Sequence, residues 1–154
     1  MTRCVLFVLI LGMSASAFSQ VFINEVLYDP VGTDTGSEKI EIANLGSSPV
    51  DLTGYDLFPG GIGYFTFPSF TLNPGSIVVL HLRQSGTNTG SDLYHSSPTS
   101  NIGNTAGSIA LFSSTTHNSA TLISFVQWGG ANQTWAATAF SAGYWGSAAE
   151  FVAV

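Results

Sequence analysis

The sequence predicts an all-β fold, an antiparallel sandwich or barrel built from short strands. Three observations support this fold class. Apolar and polar residues alternate in short runs, as in Lys39-Ile40-Glu41-Ile42. Each run ends at a cluster of Gly, Pro, Asn or Ser, the residues typical of turns. Beyond the N-terminal segment, apolar residues never keep a helical spacing over a helix-length window, so we expect no helix.

The N-terminal segment has the features of a secretory signal peptide. It combines the positive charge of Arg3, an apolar run over residues 5–11 and small residues at 14–17. The run is shorter than the roughly 20 residues that span a bilayer. Cleavage after Ala17 or Ser19 fits this pattern, and we prefer Ser19. We therefore expect a protein that is secreted, or retained in the periplasm or at the cell surface, without a membrane span.

Cleavage after Ser19 leaves residues 20–154, the size of one domain. The nine carboxylates of this segment are then balanced only by the positive charges of Lys39 and Arg83, which gives residues 20–154 a net charge of −7. Two scattered cations cannot displace counterions from phosphates, which excludes binding to nucleic acid or to anionic lipid by charge. The only cysteine, Cys4, is removed with the signal peptide, so we expect no disulfide, no thiol chemistry and no lipid-modified cysteine.

The strand prediction, taken in order, consists of seven segments. They are residues 21–28, 38–44, 55–58, 64–67, 76–83, 108–113 and 122–128. In the fifth segment apolar residues occupy both faces, which predicts a central strand covered on both sides. Pro68 follows the fourth segment and cannot donate to a ladder, so this strand is expected at a sheet edge.

The predicted core contains the apolar residues that face inward from these strands. They are Ile23, Ile40, Ile42, Leu52, Leu57, Phe65, Phe67, Val78, Leu80, Ile109, Leu111, Phe125 and Val126.

Two segments are candidates for binding a partner. Residues 84–107 form a long polar connection, which is either a solvated crossover between sheets or a binding loop with Tyr94 as its contact residue. Trp128, Trp135 and Trp145 fall in a Gly- and Ala-rich region with little charge. They pack as a lid on the domain's own core, or they stack on a carbohydrate or protein ligand. We expect the tail over residues 129–154 to be a last strand or a truncated continuation.

The carboxylates are concentrated in the first third of the exported chain. Asp29, Asp34 and Glu38 surround the first loop and are candidate calcium ligands, because calcium prefers hard oxygen ligands. The spacing does not follow an EF-hand. The alternative is a solvated acidic loop.

No motif predicts catalysis. The three histidines lack the spacing of a zinc site, and no Gly-x-Ser-x-Gly elbow is present. Glu25 and Glu41 lie on strands, where carboxylates more often accept hydrogen bonds than form a glycosidase pair. We therefore expect neither an enzyme nor a cofactor.

An ordered set of motifs carries a resemblance to a known family. These motifs are Ile-Asn-Glu-Val-x-Tyr-Asp-Pro at 23–30, Glu-x-Ile-Glu-Ile-x-Asn at 38–44, Val-Asp-Leu-Thr-Gly-Tyr-x-Leu at 50–57, Phe-x-Phe at 65–67, Leu-x-Pro-Gly-Ser-Ile-Val-Val-Leu at 72–80 and Asn-x-x-Gly-x-Ile-x-Leu at 104–111. Residues 20–128 thereby resemble the lamin-tail domain family. The resemblance implies an immunoglobulin-like antiparallel β-sandwich without known catalysis, of the type found in exported bacterial proteins.

Two positions depart from the family pattern. Tyr55 stands where the family often has Trp, which keeps an aromatic residue in the core. Ser108 stands where Asp is usual, which removes a carboxylate from that turn.

The function implied is a monomeric binding or attachment module. Its partner would be a protein or a glycan that contacts residues 45–50, the 84–107 loop and the 128–145 tail. The alternative is a structural component of the cell surface or matrix, in which an edge strand and the aromatic tail pair with another copy.

Overall fold

The computed structural model describes residues 20–154, so the predicted signal peptide lies outside the described residues. The described chain forms ten strands and one short helix. They are β1 (Val21–Leu27), β2 (Lys39–Asn44), β3 (Val50–Asp51), β4 (Asp56–Pro59), β5 (Phe65–Thr66), β6 (Thr71–Leu72), β7 (Ile77–Leu82), β8 (Asp92–His95), β9 (Gly107–Phe112), β10 (Leu122–Trp128) and α1 (Ala136–Ser141).

Two four-stranded sheets form a sandwich. The first has the order β1-β2-β7-β8 and the second the order β10-β9-β4-β5, while β3 and β6 form a separate two-stranded ribbon. All these strand pairs are antiparallel except β7 and β8, which are parallel. The predicted all-β, immunoglobulin-like β-sandwich is confirmed.

All seven predicted strands are present, with ends that differ by a few residues. The sequence prediction missed β3, β6 and β8, which are only two to four residues long. The strand β8 lies inside the polar 84–107 connection, and of its four residues only Leu93 is buried, with 1% of its surface exposed. One buried apolar residue does not produce an alternation of apolar and polar positions, so the sequence pattern predicted a loop for this segment.

The expectation that the chain has no helix is wrong. The helix α1 spans six residues, and only Ala136 and Ala139 bury their side chains. Six residues are too few to show a helical repeat of apolar positions. The helix ends with Gly143 at φ 77°, where the N–H of Tyr144 bonds to the carbonyl of Ala139 at 3.0 Å, a glycine-terminated C-cap.

The main core lies between the two sheets and contains most of the predicted residues. Ile40, Ile42, Leu57, Ile109 and Leu111 have no exposed surface. Ile23 and Val126 were predicted to be core residues, but they are only half-buried. They lie on β1 and β10, the strands at the ends of the two sheets.

The strand β7 is central, between β2 and β8, as predicted. The prediction that both its faces are covered is wrong in part: Ile77 is 42% exposed and Val79 half-buried on the outer face. The prediction of an edge strand before Pro68 is confirmed, since β5 ends the second sheet.

The tail from residue 129 covers the outer face of the second sheet. There Phe112, Leu122 and Phe125 pack against Ala136 and Ala139 in a second apolar cluster. Because both faces of this sheet are covered, every residue of β9 is buried. The tail therefore acts as a lid on the domain's own core.

The buried side chain of Gln127 fastens the tail to β10. Its Nε2 donates to the carbonyl of Ala148 at 3.1 Å and to that of Glu150, and its Oε1 accepts the N–H of Gln133 at 3.0 Å. Gln127 has no exposed surface. An amide that is buried and fully bonded on both sides fixes the path of the tail in a way that apolar contact alone does not.

Within residues 20–154, no helix has the length and apolar character to cross a membrane.

Candidate functional site

One end of the sandwich gathers the connections that the sequence pointed to. The strands β1 and β10 end there and β2 and β9 begin there, so their loops meet. We call this surface the loop face: it comprises residues 28–38, 60–64, 96–106 and 129–134. The acidic first loop and the last part of the 84–107 connection thus come together.

Asn104 joins these two loops directly. Its Nδ2 donates to Oδ1 of Asp29 at 3.1 Å and to Oδ2 of Asp34 at 3.0 Å. An amide group that donates to two carboxylates holds like charges close together without a cation.

Glu38 also joins the acidic first loop to the last part of the 84–107 connection. Its carboxylate accepts the backbone N–H of Ile102, with 2.9 Å to Oε1 and 3.1 Å to Oε2, and only 1% of its surface is exposed. Burial raises the pKa of Glu38 to about 7, and the nearby Asp34 adds to the rise. The Ile102 N–H and the charge of Arg83 act in the opposite direction but more weakly than burial does.

Arg83 fills the space beside Glu38. Its Nη1 donates to Oγ1 of Thr35 at 3.0 Å and to Oδ1 of Asn101 at 2.6 Å, while its backbone N–H bonds to the carbonyl of His95 at 2.8 Å. One of the two cations of the described chain is therefore engaged inside the loop face and positions Asn101.

A polar cleft of about 380 Å³ opens between these loops. Its walls carry amide, hydroxyl and glycine backbone groups and no charged side chain. The lining residues are Gly60, Gly61, Ser100, Asn101, Gly103, Ala106, Gly107, Ser108, Gln133 and Thr134. Such a surface can exchange hydrogen bonds with a neutral polar ligand.

The cleft walls are fixed by buried contacts. Trp128 donates its indole N–H to the carbonyl of Gly103 at 3.0 Å, and Ser108 donates to the carbonyl of Thr134 at 2.9 Å. A Cβ at Gly107 would lie 2.6 Å from the ring of Trp128, so only glycine permits this approach.

The three candidate calcium ligands do not converge. Asp29 and Asp34 share the Asn104 amide, whereas Glu38 is turned to the backbone of Ile102. In the described chain, no three or more His, Cys, Asp or Glu side chains are grouped so that they could hold a metal ion. Calcium binding by Asp29, Asp34 and Glu38 stays a prediction.

The four aromatic contact candidates are spread over the molecule. Trp128 is 3% exposed and stacks on Tyr28 with ring centroids 4.9 Å apart. Trp135 and Trp145 are half-buried in the cluster under the tail, and Tyr94 stacks on His81 at 4.7 Å on the outer face of the first sheet. Contact of these residues with a ligand stays a prediction, and only Trp128 supports the cleft.

Two His–Asp pairs lie outside the loop face. His117 Nε2 is 2.9 Å from Oδ2 of the buried Asp56, whose Oδ1 also accepts the hydroxyl of Thr66 at 2.5 Å. His81 Nε2 is 2.8 Å from Oδ1 of Asp92. Hydrogen bonds from His81 and then from the hydroxyls of neighbouring residues lower the pKa of Asp92.

Sequence reasoning did not single out Asn101, Ser100 and Gln133, which line the cleft. Polar residues in loops are too common to mark a site without knowledge of which loops meet. Asn104 was visible as the first residue of the Asn-x-x-Gly motif, but its two carboxylate partners lie 70 or more residues earlier in the chain.

The fold defines the class of protein: an immunoglobulin-like β-sandwich with a tail packed on its second sheet. The family model described as Lamin Tail Domain matches residues 14–150, and the chain belongs to the lamin tail domain family. No curated protein matches the chain in sequence. The family match includes most of the tail, in keeping with the packing of that tail on the sandwich.

Proposed function

We propose that this protein is an exported, non-catalytic module that binds a protein or glycan partner in the cleft of the loop face. The observation that carries the proposal is the cleft itself, a concave surface of about 380 Å³ lined by neutral residues, among them Ser100, Asn101, Gln133 and Thr134 with polar side chains. A sugar ring or a peptide backbone offers the matching neutral donors and acceptors.

The rigidity of the cleft supports this function. The wall that contains Asn101 and Gly103 is tied at three points: Ile102, between these two residues, bonds to Glu38, Asn101 bonds to Arg83, and Gly103 bonds to Trp128. A cleft held in place before binding loses little conformational entropy when a ligand enters, and this raises affinity.

Export rests on the N-terminal segment, with its positive charge, short apolar run and small residues. The absence of cysteine from residues 20–154 means that oxidising conditions would not alter the covalent structure.

Glycan and peptide arrays, probed with protein containing residues 20–154, test the proposal. Hits are then measured with the Gln133→Ala variant, which removes an amide from the cleft wall. Because a lost hydrogen bond to a neutral ligand costs about 1 kcal/mol, affinity should fall about fivefold. The control is Gln84→Ala, the same change at an exposed residue outside the cleft, which should leave affinity unchanged. Arrays without a hit, or hits that both variants bind equally well, would contradict the proposal.

A second candidate function is assembly into a surface or matrix structure. It is favoured by exposed apolar residues of the tail: Phe140 is 55%, Tyr144 40% and Phe151 46% exposed. Sedimentation over a range of concentrations distinguishes the two functions, because a binding module stays monomeric and an assembling component does not.

A further inference from the structure

The two sheets leave a second, more apolar groove on the side of the sandwich formed by β1 and β10. This groove has a volume of about 210 Å³, and its residues are different from those of the cleft. Ile23, Val26 and Val126 supply apolar walls from the two strands, and Val152 closes one side. These four side chains are half-buried or exposed, so the groove is open to solvent.

One residue of the tail already pairs with β10 beside this groove in an extended conformation. Val152 forms a parallel bridge with Trp128 on the outer edge of β10: the N–H of Gly129 bonds to the carbonyl of Val152 at 2.9 Å, and the N–H of Val152 bonds to the carbonyl of Gln127 at 3.0 Å. In the described chain, backbone pairing on this edge of β10 is limited to that bridge. The strand β1 pairs with β2, and the N–H of its Ile23 donates across to Oγ of Ser124 on β10 at 3.1 Å, which leaves the groove as a surface beside the two strands. Edges of this kind accept an added strand.

The rim of the groove is unusually apolar for this surface. Val152 is 51% and Val154 65% exposed, and the neighbouring Phe151 is 46% exposed. Apolar residues that cluster in the open mark contact surfaces. They fit an occupant that presents β-branched or other apolar side chains toward the groove.

The charge of the groove favours a partner protein as its occupant over a second copy of this chain. Glu25 lines the groove and is exposed, no Lys or Arg lines it, and Glu41 lies directly opposite Glu25 on β2. The occupant should therefore be cationic. A second copy brings only Lys39 and Arg83, of which Arg83 is engaged with Thr35 and Asn101. Two copies of residues 20–154, each with a net charge of −7, would repel.

We propose that the groove between β1 and β10 binds an extended segment of a partner protein in which apolar residues alternate with lysine or arginine. The apolar side chains pack on Ile23, Val26 and Val126, and a cation faces Glu25. This interaction is separate from ligand binding in the cleft, and each can be lost without the other.

A synthetic peptide of about nine residues, alternating valine and lysine, is the probe, since this is the usual length of a strand. Binding to protein containing residues 20–154 is measured by fluorescence anisotropy at physiological salt. Two comparison peptides replace every valine with serine or every lysine with glutamate. We expect the valine–lysine peptide to bind at least tenfold more tightly than either comparison peptide. Equal binding of the serine–lysine peptide would show attraction by net charge alone and would overturn the proposal.

Variants locate the binding surface. Glu25→Lys should weaken the valine–lysine peptide at least tenfold, whereas Asp51→Lys makes the same charge change on the β3–β6 ribbon and should have little effect. Both positions are exposed, and the Asp51 carboxylate accepts the Thr53 N–H at 2.9 Å, so a small loss of melting temperature is expected for Asp51→Lys and none for Glu25→Lys. Peptide binding is therefore measured well below the melting temperature of both variants. Equal weakening by the two variants would overturn the assignment to the groove. A dimer that forms without peptide and disappears in Glu25→Lys would overturn the choice of a partner over a second copy.

Discussion

Glu38 and Ile102 are 64 residues apart in the chain, and the carboxylate of the first accepts the backbone N–H of the second at 2.9 Å. This bond ties the residue before β2 to the loop that forms one wall of the cleft. Neither residue is exposed by more than 2%. A buried carboxylate at this point makes the stability of the loop face depend on pH.

The first prediction concerns that pH dependence. The pKa of Glu38 is raised from 4.5 to about 7 in the folded protein, so the folded state binds its proton more tightly than the unfolded state does. The stabilisation is full below pH 4.5 and is lost as pH rises through 7. The shift corresponds to about 3 kcal/mol. Urea unfolding at pH 5 and pH 8 measures the change.

The Glu38→Gln variant isolates this contribution. Glutamine keeps an oxygen that accepts the Ile102 N–H but does not ionise, so the variant should lack the loss of stability attributed to Glu38. The comparison also removes the effect of His95, whose pKa is lowered by burial and which is present in both proteins. Glu25→Gln, at an exposed carboxylate, serves as the control and should behave as the unaltered protein does. Identical pH profiles for Glu38→Gln and the unaltered protein would contradict the prediction.

The second prediction concerns the amide of Gln127. In Gln127→Met the side chain keeps its approximate volume but loses the bonds to Ala148, Glu150 and Gln133. Backbone groups left without partners should lower the free energy of unfolding by about 3 kcal/mol. The matched control is Gln133→Met, whose side-chain amide makes a single bond of 3.5 Å, to Gly130, and which should lose much less. Equal losses in chemical denaturation would refute the special role of Gln127.

The third prediction is that the tail is indispensable to the fold. A chain that stops at Gly129 would expose Phe112, Leu122 and Phe125, which now pack against Ala136 and Ala139. Because these aromatic and aliphatic side chains together carry several kcal/mol of burial energy, the truncated protein should not unfold cooperatively. Heat denaturation followed by circular dichroism is the measurement. A cooperative melting transition within a few degrees of that of the longer chain would show that the tail is dispensable.

The strands were predictable from the sequence because their signal is local. Alternation in residues such as Ile40 and Ile42, and turn residues such as Pro74 and Gly75, depend only on neighbours in the chain. The helix α1 was not predictable in the same way. Its buried face consists of two alanines, which look like loop residues until Phe112 and Phe125 are known to lie beneath them.

The sequence predicted which loops of the loop face are unusual but not the contacts between them. The acidic first loop and the long polar connection stood out, but the sequence does not show that Asn104 meets Asp29 and Asp34. These contacts join residues 70 or more positions apart, and loops carry no periodicity from which such pairing could be read. The cleft residue Gln133 was hidden for the same reason.

The fourth prediction compares the two His–Asp pairs. The side chain of Asp56 is 4% exposed and that of Asp92 is 37% exposed, so the charge of Asp56 has far less access to water. Removing His117 should therefore cost about 2 kcal/mol, since it leaves a buried carboxylate with the Thr66 hydroxyl alone. A double-mutant cycle with Asp56→Asn and His117→Gln, set beside one with Asp92→Asn and His81→Gln, measures both couplings. The coupling should be clearly larger for the first pair; the reverse order would contradict the argument from burial.

The fifth prediction concerns the carboxylates around Asn104. The amide of Asn104 donates to Asp29 at 3.1 Å and to Asp34 at 3.0 Å, so Asn104→Asp places three carboxylates side by side and removes both hydrogen bonds. Repulsion should lower the melting temperature in the presence of a chelator by several degrees. Calcium in the millimolar range should restore part of this loss, because three hard oxygen donors attract the ion. Asn104→Ala loses the same hydrogen bonds without the third carboxylate and should not respond to calcium.

If the unaltered protein already melts several degrees higher with saturating calcium, then Asp29, Asp34 and Glu38 bind the ion as the sequence suggested. If calcium shifts neither the unaltered protein nor Asn104→Asp, the acidic loop is a solvated surface held together by Asn104.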